Sequence, residues 1–117
     1  MRTGQLPDPY GYLSYRRYLD DWYAARKEAD RRFSHRLFMR KAGASSPSLF
    51  NEVVSGKRNL SSPMTDGFVK ALGISGSAAA FFRDLVVLDQ APTEAERNAA
   101  WARIAAHRRF RSARSIE

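Results

Sequence analysis

The amino-acid sequence predicts an all-α fold: a compact five-helix domain followed by a C-terminal helix. Apolar residues recur three and four positions apart from Tyr15 to Ile104, the period of one helix face. Serine or threonine precedes most of these stretches and glycine follows several, the residue types that start and stop helices. No stretch alternates apolar and polar residues as a half-buried strand would, and there is no internal repeat or low-complexity tract.

Residues 1–13 hold two prolines, two glycines and little periodicity. They read as an extended N-terminal arm whose Tyr10 and Tyr12 can pack onto the domain. The first helix starts near Ser14. Tyr15, Leu19, Trp22 and Tyr23 share one face, with Tyr18 beside them, and read as core rather than as a base-stacking platform. Arg16 with Asp20, and Arg17 with Asp21, lie four apart on the other face, a spacing worth about 0.2–0.5 kcal/mol per pair. The charged run 26–32 ends this helix. Ser34 caps the second, and Phe33 and Phe38 occupy the two positions of a hydrophobic staple. Leu37, Phe38 and Ala42 face inward, with Arg36, Arg40 and Lys41 outward or along the rim. Gly43 takes the left-handed conformation that ends the helix.

The third helix follows Ser45 or Ser46, with Pro47 at its first position, where a missing N–H does no harm. Leu49, Phe50, Val53 and Val54 form its buried face and leave Ser48, Asn51, Glu52 and Ser55 on the other side. Gly56 stops it, and Lys57, Arg58 and Asn59 form the next loop. Ser61 or Ser62 caps the fourth helix, with Pro63 at its start and Met64, Phe68, Ala71 and Leu72 inward. Gly67 inside it costs about 1 kcal/mol relative to Ala, which suggests close packing or a short, frayed helix. The fifth helix, 77–90, is apolar around most of its girth through Phe81, Phe82, Leu85, Val86, Val87 and Leu88. Such a helix is buried on more than one side, which in so small a domain hints at a partner subunit or a further domain. The sixth opens with Thr93 and Glu96 in capping-box spacing and carries a Trp101, Ile104, Ala105 stripe. Five arginines and His107 lie between Arg103 and Arg114, with no acidic residue. The expected organisation is an arm over 1–13, a helix-turn-helix domain over 14–90, and a C-terminal helix with basic tail over 91–117.

The totals direct the reading of function. The 117 residues leave room for one domain, and 44% hydrophobic with 27% charged residues is a globular balance. Lys and Arg number 20 against 12 Asp and Glu, a net charge of +8 that favours a polyanionic partner. The absence of cysteine excludes disulfides, thiolate metal sites and cysteine nucleophiles. No apolar run approaches the roughly 20 residues needed to span a bilayer, and the N-terminus lacks the apolar core of a signal peptide, so the expected location is cytoplasmic. Catalysis finds no support. His35 and His107 stand alone, Asp20 and Asp21 point about 100° apart on a helix, and Gly56-Lys57-Arg58 lacks the rest of a phosphate-binding loop. No catalytic residue, metal or cofactor is expected.

The order of elements from Phe33 to Gly73 is that of a helix-turn-helix, with the motif proper over 34–55 and the third helix presented to the major groove of double-stranded DNA. Ser48 and Asn51 are then the donors nearest the bases, and Glu52 can accept from cytosine. Lys57, Arg58 and Asn59 with Ser45 and Ser46 fall on phosphates, and Arg36 and Arg40 lie near the backbone crossed by the second helix. A homodimer would reach paired half-sites, meeting through Phe81, Phe82, Leu85, Leu88 and Trp101. The alternative is a protein-interaction adaptor that keeps the scaffold and engages an acidic protein partner. An acidic small effector bound through the arginines ranks third.

Two resemblances extend this reading. Residues 33–73 resemble a λ-repressor-like (Cro-type) helix-turn-helix domain, on the Ala42-Gly43-Ala44-Ser45 turn, the Val53 to Arg58 exit and Ala71-Leu72-Gly73. One residue more than that pattern lies between Gly43 and Gly56. Aligned from Gly56 backward, the resemblance puts the base-facing positions at Pro47, Ser48, Leu49 and Glu52. Residues 15–114 also resemble the N-terminal part of a family of uncharacterised bacterial proteins, through YLDDWY, SPSLFNEVVSGKRNLS, the following ALG and an F-F-x-x-L-V helix. That resemblance implies a regulator, either a short member or a fragment of a longer protein with a further domain.

Overall fold

The computed structural model describes residues 5–114. They form a 3-10 turn, Pro9–Gly11, and seven helices: α1 Tyr15–Ala29, α2 His35–Ala42, α3 Ser48–Val54, α4 Ser62–Leu72, α5 Gly76–Gln90, α6 Glu94–Ala106 and α7 Arg108–Arg114. No strand occurs among the described residues, and no helix among them is long and apolar enough to cross a membrane.

Local chemistry sets the helix ends. Ser14, Ser34, Ser61 and Thr93 each accept a hydrogen bond from a backbone N–H in the first turn of the helix that follows. Gly43 ends α2 with φ 87°, and Gly56 follows α3 with φ 89°. At both, backbone N–H groups fold back on orphan carbonyls: Ala44 donates to Met39 at 2.9 Å and Lys57 to Glu52 at 2.9 Å. A side chain at either glycine would be strained in that left-handed conformation.

Around α3 the core is aromatic. Trp22 lies edge-on to both Phe33 and Phe38, so the staple pair meets through its indole. Phe38 meets Phe50 and Phe68, and the last two stack with centroids 6.1 Å apart. Gly67 is a close-packing site: a Cβ there would collide with the backbone carbonyl of Ala42 at the end of α2. Of the two explanations for an interior glycine, close approach is the one found.

Several expectations need correction. The segment 5–13, expected as an extended arm, contains a 3-10 turn, and its Tyr10 packs onto the domain, buried against Phe81 with its hydroxyl bonding Ser77. Pro47 stands just before α3 instead of at its first position. The single C-terminal helix is two, broken at His107, whose backbone is extended while its ring packs edge-on to Phe81 and bonds Asp84 at 3.2 Å. Trp101 faces outward, 43% exposed, while Ala100 and Ile104 pack inward. Three of the five residues expected at a dimer contact are closed to one. Phe81, Phe82 and Leu85 have no exposed surface, being covered by the 3-10 turn, α1, α6 and α7 of the same chain. Leu88 is partly buried against this core. Apart from Val87, which stays exposed, the apolar girth of α5 is met from within the chain.

Candidate functional site

The segment from α2 to the loop after α3 brings together the polar residues singled out above. Ser48 and Asn51 are exposed on α3, and the Ser46 and Ser48 hydroxyls lie 3.2 Å apart. A small cavity at the start of α3 is lined by Arg36, Arg40, Ser45 and Pro47. A second concavity, at its end, is lined by Glu52, Lys57, Arg58 and Asn59. Each end of this short helix therefore opens onto a recess with two cationic side chains. Arg36, Arg40, Lys41 and Lys57 are exposed, and their side chains make no hydrogen bond or ion pair among the described residues.

Some arginines elsewhere are tied to carboxylates, whereas Arg17, Arg31, Arg97 and Arg111 are exposed and form no ion pair among the described residues. Arg83 pairs with Asp66 at 3.0 Å and Arg103 with Asp84 at 2.9 Å. Within the site only Arg58 is so held, 3.0 Å from Glu52. That pair offsets the Glu52 charge next to a surface expected to meet an anion. Of the four positions that the resemblance makes base-facing, Ser48 alone is exposed; Pro47, Leu49 and Glu52 are half-buried, and Glu52 is paired.

The residue that organises the site lies outside the segment. Arg16 of α1 was expected to pair with Asp20 on an exposed helix face. Instead its guanidinium runs under the end of α3. It donates to the Val53 carbonyl at 2.6 Å, the Arg58 carbonyl at 3.0 Å and Asn59 Oδ1 at 2.8 Å, and pairs with Asp89 at 3.0 Å. An exposed pair four residues apart is worth about 0.2–0.5 kcal/mol, whereas hydrogen bonds to a charged group are worth about 1.5–3 kcal/mol, so the long reach wins. Asp21, the other expected partner on α1, accepts from the Tyr12 hydroxyl at 2.7 Å.

Gln90 completes the clamp. Its amide oxygen accepts from Leu60 N–H at 2.9 Å and from the Tyr15 hydroxyl, and its amide nitrogen donates to the Leu60 carbonyl at 2.9 Å. Burial is the main reason the Tyr15 phenol is pushed up to about 12. Arg16, Asp89 and Gln90 thus fix the loop that carries Lys57, Arg58 and Asn59. No local pattern marks them, since Arg16 and Asp89 lie 73 positions apart.

At the other side of α3, His35 stacks on Phe50 with centroids 5.0 Å apart and lies 4.5 Å from the Tyr23 ring. Burial, and then the Lys27 ammonium, hold its imidazole below the usual value of 6.5. No family model, curated protein or solved structure matches the chain.

Proposed function

We propose that residues 34–55 act as a helix-turn-helix on double-stranded DNA, and that the chain is a transcriptional regulator or the DNA-binding part of one. In this reading α3 enters the major groove with Ser48 and Asn51 toward the bases. Lys57, with the backbone N–H groups and side chains of the loop around it, meets one phosphate strand. Arg36, Arg40 and the Ser45–Ser46 turn meet the other. The observation that carries it is the grouping of the exposed, unpaired Arg36, Arg40, Lys41 and Lys57 side chains around an exposed polar helix, with a recess at each of its ends. Phosphate contacts supply most hydrogen bonds in such complexes and position the reading helix without carrying sequence information. Pairing of two copies on half-sites one helical turn apart belongs to the same reading. Among the residues expected at that contact, Trp101 is the one with an exposed ring.

The test is fluorescence anisotropy with random duplex DNA at two salt concentrations. Each neutralised phosphate contributes about −0.9 to the slope of log K against log salt, so replacing Lys57 and Arg58 together by alanine should flatten that slope by up to about 1.8. An unchanged slope would overturn the proposed orientation.

A second reading is a protein-interaction adaptor, and the Glu52–Arg58 pair favours it. Glu52 takes up the long donor nearest the end of α3 and leaves short side chains on the exposed face. Failure to bind duplex at low salt, with a mass that rises on adding an acidic protein partner, would make this reading the better one.

A further inference from the structure

A pocket of about 330 Å³ opens between the start of α4, the end of α5 and the start of α6, away from the exposed face of α3. Its size falls at the low end of small-molecule sites. Leu60, Val86, Val87 and Pro92 make its wall mostly apolar. Val87 is 41% exposed, one of few large apolar side chains left open to solvent. The rim is acidic in a strongly basic chain. Asp66 and Glu96 stand on it with Arg83. Both Arg83 contacts fall on Asp66 Oδ1, at 3.2 and 3.0 Å. Asp66 Oδ2 accepts no hydrogen bond, and the Glu96 carboxylate makes no hydrogen bond or ion pair among the described residues. The three rim groups sum to one negative charge beside an apolar seat.

We propose that this pocket binds a small apolar cation, an ammonium on an aromatic or branched aliphatic body, and that occupancy is felt by the DNA-facing loop. The apolar body lies on Val86, Val87 and Leu60, and the ammonium meets Glu96 and the free oxygen of Asp66. The route to the loop is short. Leu60 and Gln90 line the pocket and hold each other by two hydrogen bonds. The next residue, Asp89, holds Arg16, which grips the carbonyls of Val53 and Arg58. A ligand seated on the clamped form of Leu60 and Gln90 favours the same loop conformation that phosphate binding needs. The two ligands therefore strengthen one another. This coupling rests on the DNA-binding reading; the pocket itself does not.

The pocket is tested first without DNA. The full chain is titrated with 2-phenylethylammonium, 2-phenylethanol and 3-phenylpropionate while the backbone amide resonances of Val86, Val87 and Glu96 are followed. The ammonium should give saturable shifts at all three and bind about fivefold more tightly than the alcohol, with the carboxylate weakest. Glu96→Gln should reduce the preference of ammonium over alcohol, and Val87→Arg should abolish binding while the rest of the spectrum stays in place. Absence of saturable shifts, or a carboxylate that binds as well as the ammonium, overturns the site. The duplex titration is then repeated at saturating ammonium, where affinity should rise by about fivefold. Saturable ammonium binding with unchanged duplex affinity overturns the coupling and leaves the site. A chain that binds the ammonium but no duplex overturns the DNA-binding reading and also leaves the site.

Discussion

The two ends of α3 are held by different means. At its C-terminal end, side chains from distant elements do the work: Arg16 from α1, held by Asp89 of α5, and Gln90 from α5 grip the backbone of residues 53–60. At its N-terminal end no side chain caps the helix. There the turn is fixed indirectly. The Gly43 turn closes on α2, and α2 is seated by the backbone contact between Ala42 and Gly67 of α4. The clamped end carries the loop that the proposed reading gives to phosphate contact, and the uncapped end carries Ser45, Ser46 and Ser48. On the proposed DNA-binding reading, one phosphate anchor would be fixed in advance, while the uncapped end would have room to adjust to the groove.

Gly67→Ala should break this arrangement most severely. Helix propensity alone predicts a gain of about 1 kcal/mol for alanine in a helix interior. The collision with the Ala42 carbonyl predicts a loss of about 3 kcal/mol, the upper end for overpacking, because a backbone atom and not a flexible side chain stands in the way. The sign of the change in urea midpoint decides between them. A stabilised variant would mean that α2 and α4 separate easily, and that the N-terminal end of α3 is not seated through Gly67.

Arg16→Ala comes next. It removes the charged donor from two backbone carbonyls and leaves Asp89 without its partner, for an expected loss of about 2 kcal/mol. The local readout is sharper than the global one. Amide exchange at Lys57, Arg58 and Leu60 should accelerate, while that of Ala44, in the turn before α3, should hardly change. Arg16→Lys should recover only part of the loss, since an ammonium lacks the planar fork that spans several acceptors. Equal acceleration in both turns would show that the two ends of α3 are held as one unit, and the contrast between them would fall.

What was legible in the sequence divides along the same line. Ser14, Ser34, Ser61 and Thr93 act within three residues of themselves, so the helix starts are readable, although Ser61 is not separable from Ser62 as the cap of α4; Gly43 and Gly56 are readable as terminators. Gly67 was readable as an anomaly, although its partner Ala42 was not. Arg16 was misread because Asp20, four residues on, offered a plausible local pair, and nothing in the intervening chain points to Asp89. The girth of α5 was read correctly as buried on several sides. What covers it was not, because Tyr10 lies in a Pro- and Gly-rich segment and Phe110 in a run of arginines. Trp101 was assigned inward by periodicity alone, yet the stripe of α6 is narrow enough that Ala100 and Ile104 fill it. For the candidate site, the residues of the recess were legible and their pairing was not. Whether Glu52 is an open acceptor or a partner of Arg58 depends on how the chain turns at Gly56.

The smallest effect concerns His35, which bridges the start of α2 to Phe50 of α3. Burial and the Lys27 ammonium lower its affinity for a proton in the folded chain, and its place in the first turn of α2 puts a positive charge at the unfavourable end of the helix dipole. The unfolded chain therefore binds more protons than the folded one just below the ordinary imidazole value of 6.5. Stability is complete above that value and declines as pH falls below it, toward the lower value of the folded imidazole. His35→Gln removes the titration, so the difference in urea midpoint between variant and parent should narrow or reverse on going from pH 7.5 to 5.5, approximate bounds that stay above the ordinary carboxylate range. A difference that stays constant across the window would mean that His35 accepts its proton equally well folded and unfolded. The stack on Phe50 would then open on protonation without cost, and α3 would be less firmly held at this contact than at its clamped end.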